Sequence, residues 1–131
     1  MTVKPETKFG HEVRKNIKAF WLPFTITATA GIPDLIGIKN RVAIFLELKC
    51  IKQNSINITP TQISLNSNIF EVYGKNYFLV KHIEQRIIKL YDGDKGRELK
   101  EQGWKYGDGT IPPYYFEFPY DWERMTRLMF S

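Results

Sequence analysis

Hydrophobic positions change period several times along the chain, and each change predicts an element. Between residues 11 and 22, Val13, Ile17, Phe20 and Trp21 recur at helical spacing and Pro23 follows, which predicts an amphipathic helix behind a short, partly disordered arm at residues 1–10. Residues 24–30 alternate apolar and hydroxyl side chains, the pattern of a half-buried strand. Residues 35–38 and 42–48 are apolar runs joined by Lys39-Asn40-Arg41, so they predict neighbouring strands in a hairpin. The second run is rich in β-branched and large apolar residues, as in a strand covered on both faces.

After a polar loop, Thr59-Pro60-Thr61-Gln62 announces a helix. Thr59 is the N-cap, Pro60 takes the first helical position and Gln62 stands three residues after the cap. Ile63, Ile69, Phe70 and Tyr73 supply its apolar side and Gly74 closes it. Residues 76–80 predict a strand, and the helix crossing to it from residues 42–49 makes a right-handed βαβ unit with a parallel pair. Residues 82–90 predict a further helix with Ile83, Ile87, Ile88 and Leu90 inward, and residues 120–130 a terminal one. The fold class is therefore α/β, a central mixed four-stranded sheet flanked by helices. Its core spans residues 1–91, and an aromatic-rich C-terminal extension, residues 92–131, packs on the core or on a dimer partner.

Charge changes this picture at one place. Apart from the connecting turn, three charged residues, Asp34, Glu47 and Lys49, lie within or beside the two apolar runs. Strand side chains alternate, so Glu47 and Lys49 share a face while Leu46 and Leu48 point to the other. Asp34 opens its run after Gly31-Ile32-Pro33, a turn that fixes where its carboxylate points. Across the hairpin, Asp34 and Glu47 meet at one edge of the sheet. Two adjacent carboxylates raise each other's pKa unless a cation lies between them, and a hard divalent ion such as Mg²⁺ relieves the repulsion while keeping waters for a phosphate substrate.

Composition narrows the class. At 131 residues, with 43% hydrophobic and 25% charged residues, the chain reads as one soluble globular domain. No apolar run approaches the roughly 18 residues of a membrane span, and the N-terminal residues lack a signal-peptide core, so the expected location is cytoplasmic. Cys50 is the single cysteine, and His11 and His82 are the two histidines, which argues against a disulfide or a zinc site and leaves oxygen ligands for any metal. The net charge of +5 is uneven: residues 1–91 hold 13 Lys/Arg against 6 Asp/Glu, and residues 92–131 hold 6 against 8. A basic portion around the Asp34 site suits a phosphate-backbone partner, and equally describes a solvated surface.

Three residues carry two readings each. Glu12 either reaches from the first helix toward the sheet or is a solvated first-turn acid that favours the helix dipole. Gln62 either completes the capping box or faces Lys49 and orients a water or phosphate. His82 caps or packs rather than ligating metal.

In order, these features are a helix Glu12, Gly31-Ile32-Pro33-Asp34, twelve intervening residues, Glu47-Leu48-Lys49, and Gln62 at the start of the next helix. This pattern, which covers residues 12 to about 90, resembles the PD-(D/E)XK nuclease superfamily and, within it, the VRR-NUC nucleases. The loop at residues 50–58 departs from the family in lacking its usual glycines, and residues 92–131 match nothing in it. The resemblance implies that Asp34, Glu47 and the backbone carbonyl of Leu48 ligate Mg²⁺ or Mn²⁺, with Glu12 bound to the ion directly or through water. It implies that Lys49 orients or deprotonates the attacking water, that Gln62 positions the water or Lys49, and that the products are a 5′-phosphate and a 3′-hydroxyl. Small stand-alone VRR-NUC proteins, many of them virus-encoded, resemble Holliday-junction resolvases that act as homodimers. The expectation is thus a Mg²⁺-dependent endodeoxyribonuclease on branched DNA, a homodimer working in the cytoplasm, for a virus-encoded chain that of its host. Two readings from other classes stand beside it: a catalytically silent DNA-binding module on a nuclease fold, and an interaction protein such as a virion component.

The extension holds nine of the nineteen aromatic residues, among them Trp104, Tyr115, Phe118 and Trp122. Its slightly acidic balance favours packing on the core or a second subunit over stacking on unpaired bases.

Overall fold

The computed structural model describes residues 4–22, 32–107 and 114–131. The expected strand at residues 24–30, with Gly31, lies outside the described residues. The elements in chain order are α1 (Pro5–Asn16), β1 (Phe20–Trp21), β2 (Leu35–Lys39), β3 (Val42–Ile51), α2 (Pro60–Tyr73), β4 (Asn76–His82), β5 (Ile87–Asp92), α3 (Gly96–Gln102), β6 (Tyr114–Glu117) and α4 (Trp122–Phe130). Short 3₁₀ turns, Gly93–Lys95 and Gly103–Lys105, bracket α3.

The fold is α/β, with a six-stranded mixed sheet flanked by helices. Strand order follows the chain from β1 to β6; β3 and β4 are parallel and every other pair is antiparallel. The described sheet thus contains more strands than the four expected. The β2–β3 connection is the predicted hairpin, with Asn40 (φ 51°) and Arg41 (φ 67°) both left-handed, as a two-residue loop matched to strand twist requires. α2 carries β3 into its parallel partner β4.

Three expectations are corrected. Residues 5–10 are helical, because Pro5 occupies the first turn and Phe9 extends the apolar stripe to Phe9, Val13 and Ile17, all buried. Phe20 and Trp21 continue that spacing only by coincidence. They form edge strand β1, where the Trp21 indole lies over Gly37, so close that a Cβ there would sit 2.5 Å from the ring, and donates to the Ile17 carbonyl at 3.0 Å. Residues 82–90 are not a helix. Arg86 turns left-handed (φ 58°), its N–H donates to the His82 carbonyl at 2.9 Å, and the chain reverses into β5. Ile88 and Leu90 fit helical and strand periods alike, and pairing with β4 decides between them.

The sheet separates two cores. On one face α1 and α4 cover Leu46, Leu48, Leu79, Leu90 and Phe116 with Phe9, Val13, Ile17, Met125 and Met129. On the other, Ile51, Phe78, Val80 and Tyr91 pack with Leu99 and Trp104 beneath α2 and α3. Residues 92–131 supply edge strand β6, helix α4 and part of both cores. The predicted terminal helix is α4, capped by Asp121, whose Oδ1 accepts from the Arg124 N–H at 3.0 Å.

Candidate active site

The site lies where β2 and β3 stop pairing. Leu35, the first residue of β2, stands opposite Leu46, and β3 runs on from there to Ile51. Asp34 fills the place of the missing partner: its Oδ2 accepts the Leu48 N–H at 2.8 Å. The N–H and carbonyl of one strand residue point to the same side, so the Leu48 carbonyl is directed at this same open edge.

Glu47 and Lys49 project to the α2 face, 1% and 7% exposed. Burial, followed by the charge of Asp34, pushes the Glu47 carboxyl up to about 9. Lys49 and a hydrogen bond from Asn66 pull the other way without prevailing. The two acids converge as the spacing predicts, and the raised Glu47 carboxyl keeps its proton beside Asp34 at neutral pH.

Gln62 joins these groups: it completes the capping box and it also faces Lys49. Its N–H donates to Thr59 Oγ1 and its Oε1 accepts the Thr59 N–H, each at 3.1 Å, a complete capping box. The same Oε1 accepts from Lys49 Nζ at 3.1 Å, while Nε2 donates to Glu47 Oε2 at 3.3 Å. One turn on, fully buried Asn66 donates from Nδ2 to the Gln62 carbonyl at 2.8 Å and reaches Glu47 Oε1 at 3.5 Å. Asn76 in turn donates to Asn66 Oδ1 at 2.9 Å. Both Glu47 oxygens are therefore held by amides anchored to α2.

Glu12 does not join. It lies on α1, on the opposite face of the sheet, and its Oε1 pairs with Lys81 Nζ at 2.7 Å. Nor is it a first-turn acid, since α1 begins at Pro5 and its first turn holds Glu6. Glu6 lines a concavity of about 440 Å³ together with Asp34 and Leu48. Sequence reasoning missed it by assigning residues 1–10 to an arm; Pro5 was the available signal. Asn66 was missed too, since nothing local marks a polar residue of α2 as its one buried position.

His82 packs its ring 5.2 Å from that of Trp104 and accepts the Gln85 N–H on Nδ1. Burial, with the charge of Glu6, pushes the Cys50 thiol up to about 12, which disfavours the thiolate.

Among the described residues no group of three or more His, Cys, Asp or Glu side chains is placed to hold a metal ion. The donors that do converge, two carboxylates and a backbone carbonyl, are all oxygen and few. That set fits Mg²⁺, which takes one or two carboxylates and keeps several waters. No family model matches the chain, and no curated protein matches it.

Proposed function

We propose that the chain is a Mg²⁺-dependent endodeoxyribonuclease of the PD-(D/E)XK type, most similar to the VRR-NUC nucleases, acting as a homodimer on branched DNA such as Holliday junctions. The observation that carries this reading is the shared hydrogen bonding of Gln62, which ties Lys49 to Glu47 while Asp34 is pinned beside them on the Leu48 N–H. A buried acid with an elevated pKa next to a lysine, where β3 has run past its β2 partner, is the arrangement that catalytic sites use.

Asp34, Glu47 and the Leu48 carbonyl would hold Mg²⁺, or Mn²⁺ in its place. The ion supplies Lewis-acid stabilisation of charge on the scissile phosphate and makes a nearby water more acidic. The chain's own groups divide the remaining work. Lys49 Nζ offsets the negative charge that grows on the phosphate and orients the attacking water by donating a hydrogen bond to it. Gln62 limits where that Nζ can be, because its Oε1 is itself fixed by the cap of α2. Asn66 and Gln62 hold the Glu47 rotamer, keeping the acid turned to Asp34.

The test is cleavage of labelled four-way junction, flap and linear duplex in Mg²⁺. The expected result is preferential cutting of the branched substrates, lost by at least about 100-fold in Asp34→Ala. Full activity in Asp34→Ala would refute the assigned site. Exposed Tyr115 on edge strand β6 and Phe118 just after it favour a second reading, an interaction protein, which gains if the wild type cuts none of the three.

A further inference from the structure

Helix α1 has a concavity on each side. One is the Asp34 cavity, to which α1 contributes His11 and Arg14, with Lys4 at its N-cap. The other, about 650 Å³, lies across the helix between α1 and the far ends of β3 and β4, lined by Lys8, Lys15, Lys52, Lys81 and Glu12. Glu12 is the one acid lining it and is committed to Lys81. Lys8, Lys15 and Lys52 are exposed, and none of them forms an ion pair among the described residues. Cations gathered around a concavity repel one another, and a polyanion removes that repulsion.

Helix α1 separates the two concavities, and its width limits what the polyanion is. An α-helix with its side chains is about 10–12 Å across. The major groove of B-DNA is about 12 Å wide, with a phosphate backbone on either side. The outer ridge of α1, Lys4, Lys8, His11 and Lys15 at steps of three and four, is basic along its length.

We propose that α1 lies in the major groove of a duplex, with the strand to be cut at Asp34 and the complementary backbone held by Lys8, Lys15 and Lys52. This rests on the nuclease reading only for which strand is cut. The lysines contact phosphates and carry no sequence information, so they position the duplex without selecting a base sequence.

The test compares wild type, Lys100→Gln at an exposed position of α3 on the other face of the sheet, and the triple variant Lys8→Glu, Lys15→Glu, Lys52→Glu by fluorescence anisotropy. Labelled duplex and single strand are used across a salt series from about 50 to 200 mM. Losing about three phosphate contacts is expected to make the duplex slope of log affinity against log salt shallower by about 2–3. Single-strand binding should change less, and Lys100→Gln should keep the wild-type slope. The neutral triple Lys8→Gln, Lys15→Gln, Lys52→Gln, checked by circular dichroism for an intact fold, should show the same shift. An unchanged duplex slope, or equal loss for duplex and single strand, overturns the proposal. So does abolition of the difference by low-millimolar inorganic phosphate, which would mark a free-phosphate site. A slope shift without cleavage by the wild type keeps the groove and sinks the nuclease reading.

Discussion

Glu47 concentrates the energetics of the site in one carboxyl. Its value rises from an ordinary 4.5 to about 9 on folding, so between those limits the folded chain holds a proton that the unfolded chain has released. The stability this group contributes is complete below about pH 4.5 and is lost as pH rises toward 9. Thermal melts without divalent ions should therefore show a midpoint that falls from pH 5 to pH 8. Glu47→Gln, an uncharged side chain of the same shape, should flatten that fall and melt above wild type at pH 8. Mg²⁺ should raise the wild-type midpoint at pH 8 and leave the variant's unmoved. A wild-type midpoint rising with pH would contradict the burial and charge argument. Glu47 and Lys49 are legible in the sequence because a charge inside an apolar run stands out. Asn66 is not, because its burial depends on Asn76 of β4 arriving beside it, a tertiary fact with no local trace.

At the scale of elements, α2 is a helix whose start is also part of the site. An ordinary N-cap lost to alanine costs about 1 kcal/mol of stability. Here Thr59 Oγ1 accepts the Gln62 N–H, and Gln62 in turn fixes Lys49 and Glu47. Thr59→Ala should thus cost about 1 kcal/mol in urea melts and also slow cleavage, while Asp121→Ala, removing the α4 cap, costs similar stability at unchanged rate. Equal cleavage rates in the two variants would show that the capping box and the site are independent. The motif for α2 was readable because Thr, Pro and Gln each have one favoured place in a first turn. β5 was misread for the opposite reason: Ile83, Ile87, Ile88 and Leu90 suit either period, and a left-handed turn at Arg86 leaves no clear mark in an arginine.

For the whole molecule, the aromatic-rich extension is built into the fold. Phe116, Met125, Met129 and Phe130 are buried against the α1 face of the sheet. At about 1.5–3 kcal/mol for each buried side chain, their removal approaches the entire 5–15 kcal/mol stability of a domain. Deleting residues 114–131 should abolish cooperative melting, and a sharp transition in the shortened chain would contradict this. No helix among the described residues is long and apolar enough to cross a membrane. The most direct measurement is cleavage of a labelled four-way junction in Mg²⁺ by wild type and Lys49→Ala, with the product ends identified. The account predicts 5′-phosphate products from wild type and a loss of at least about 100-fold in the variant. Equal cleavage by both proteins would contradict it.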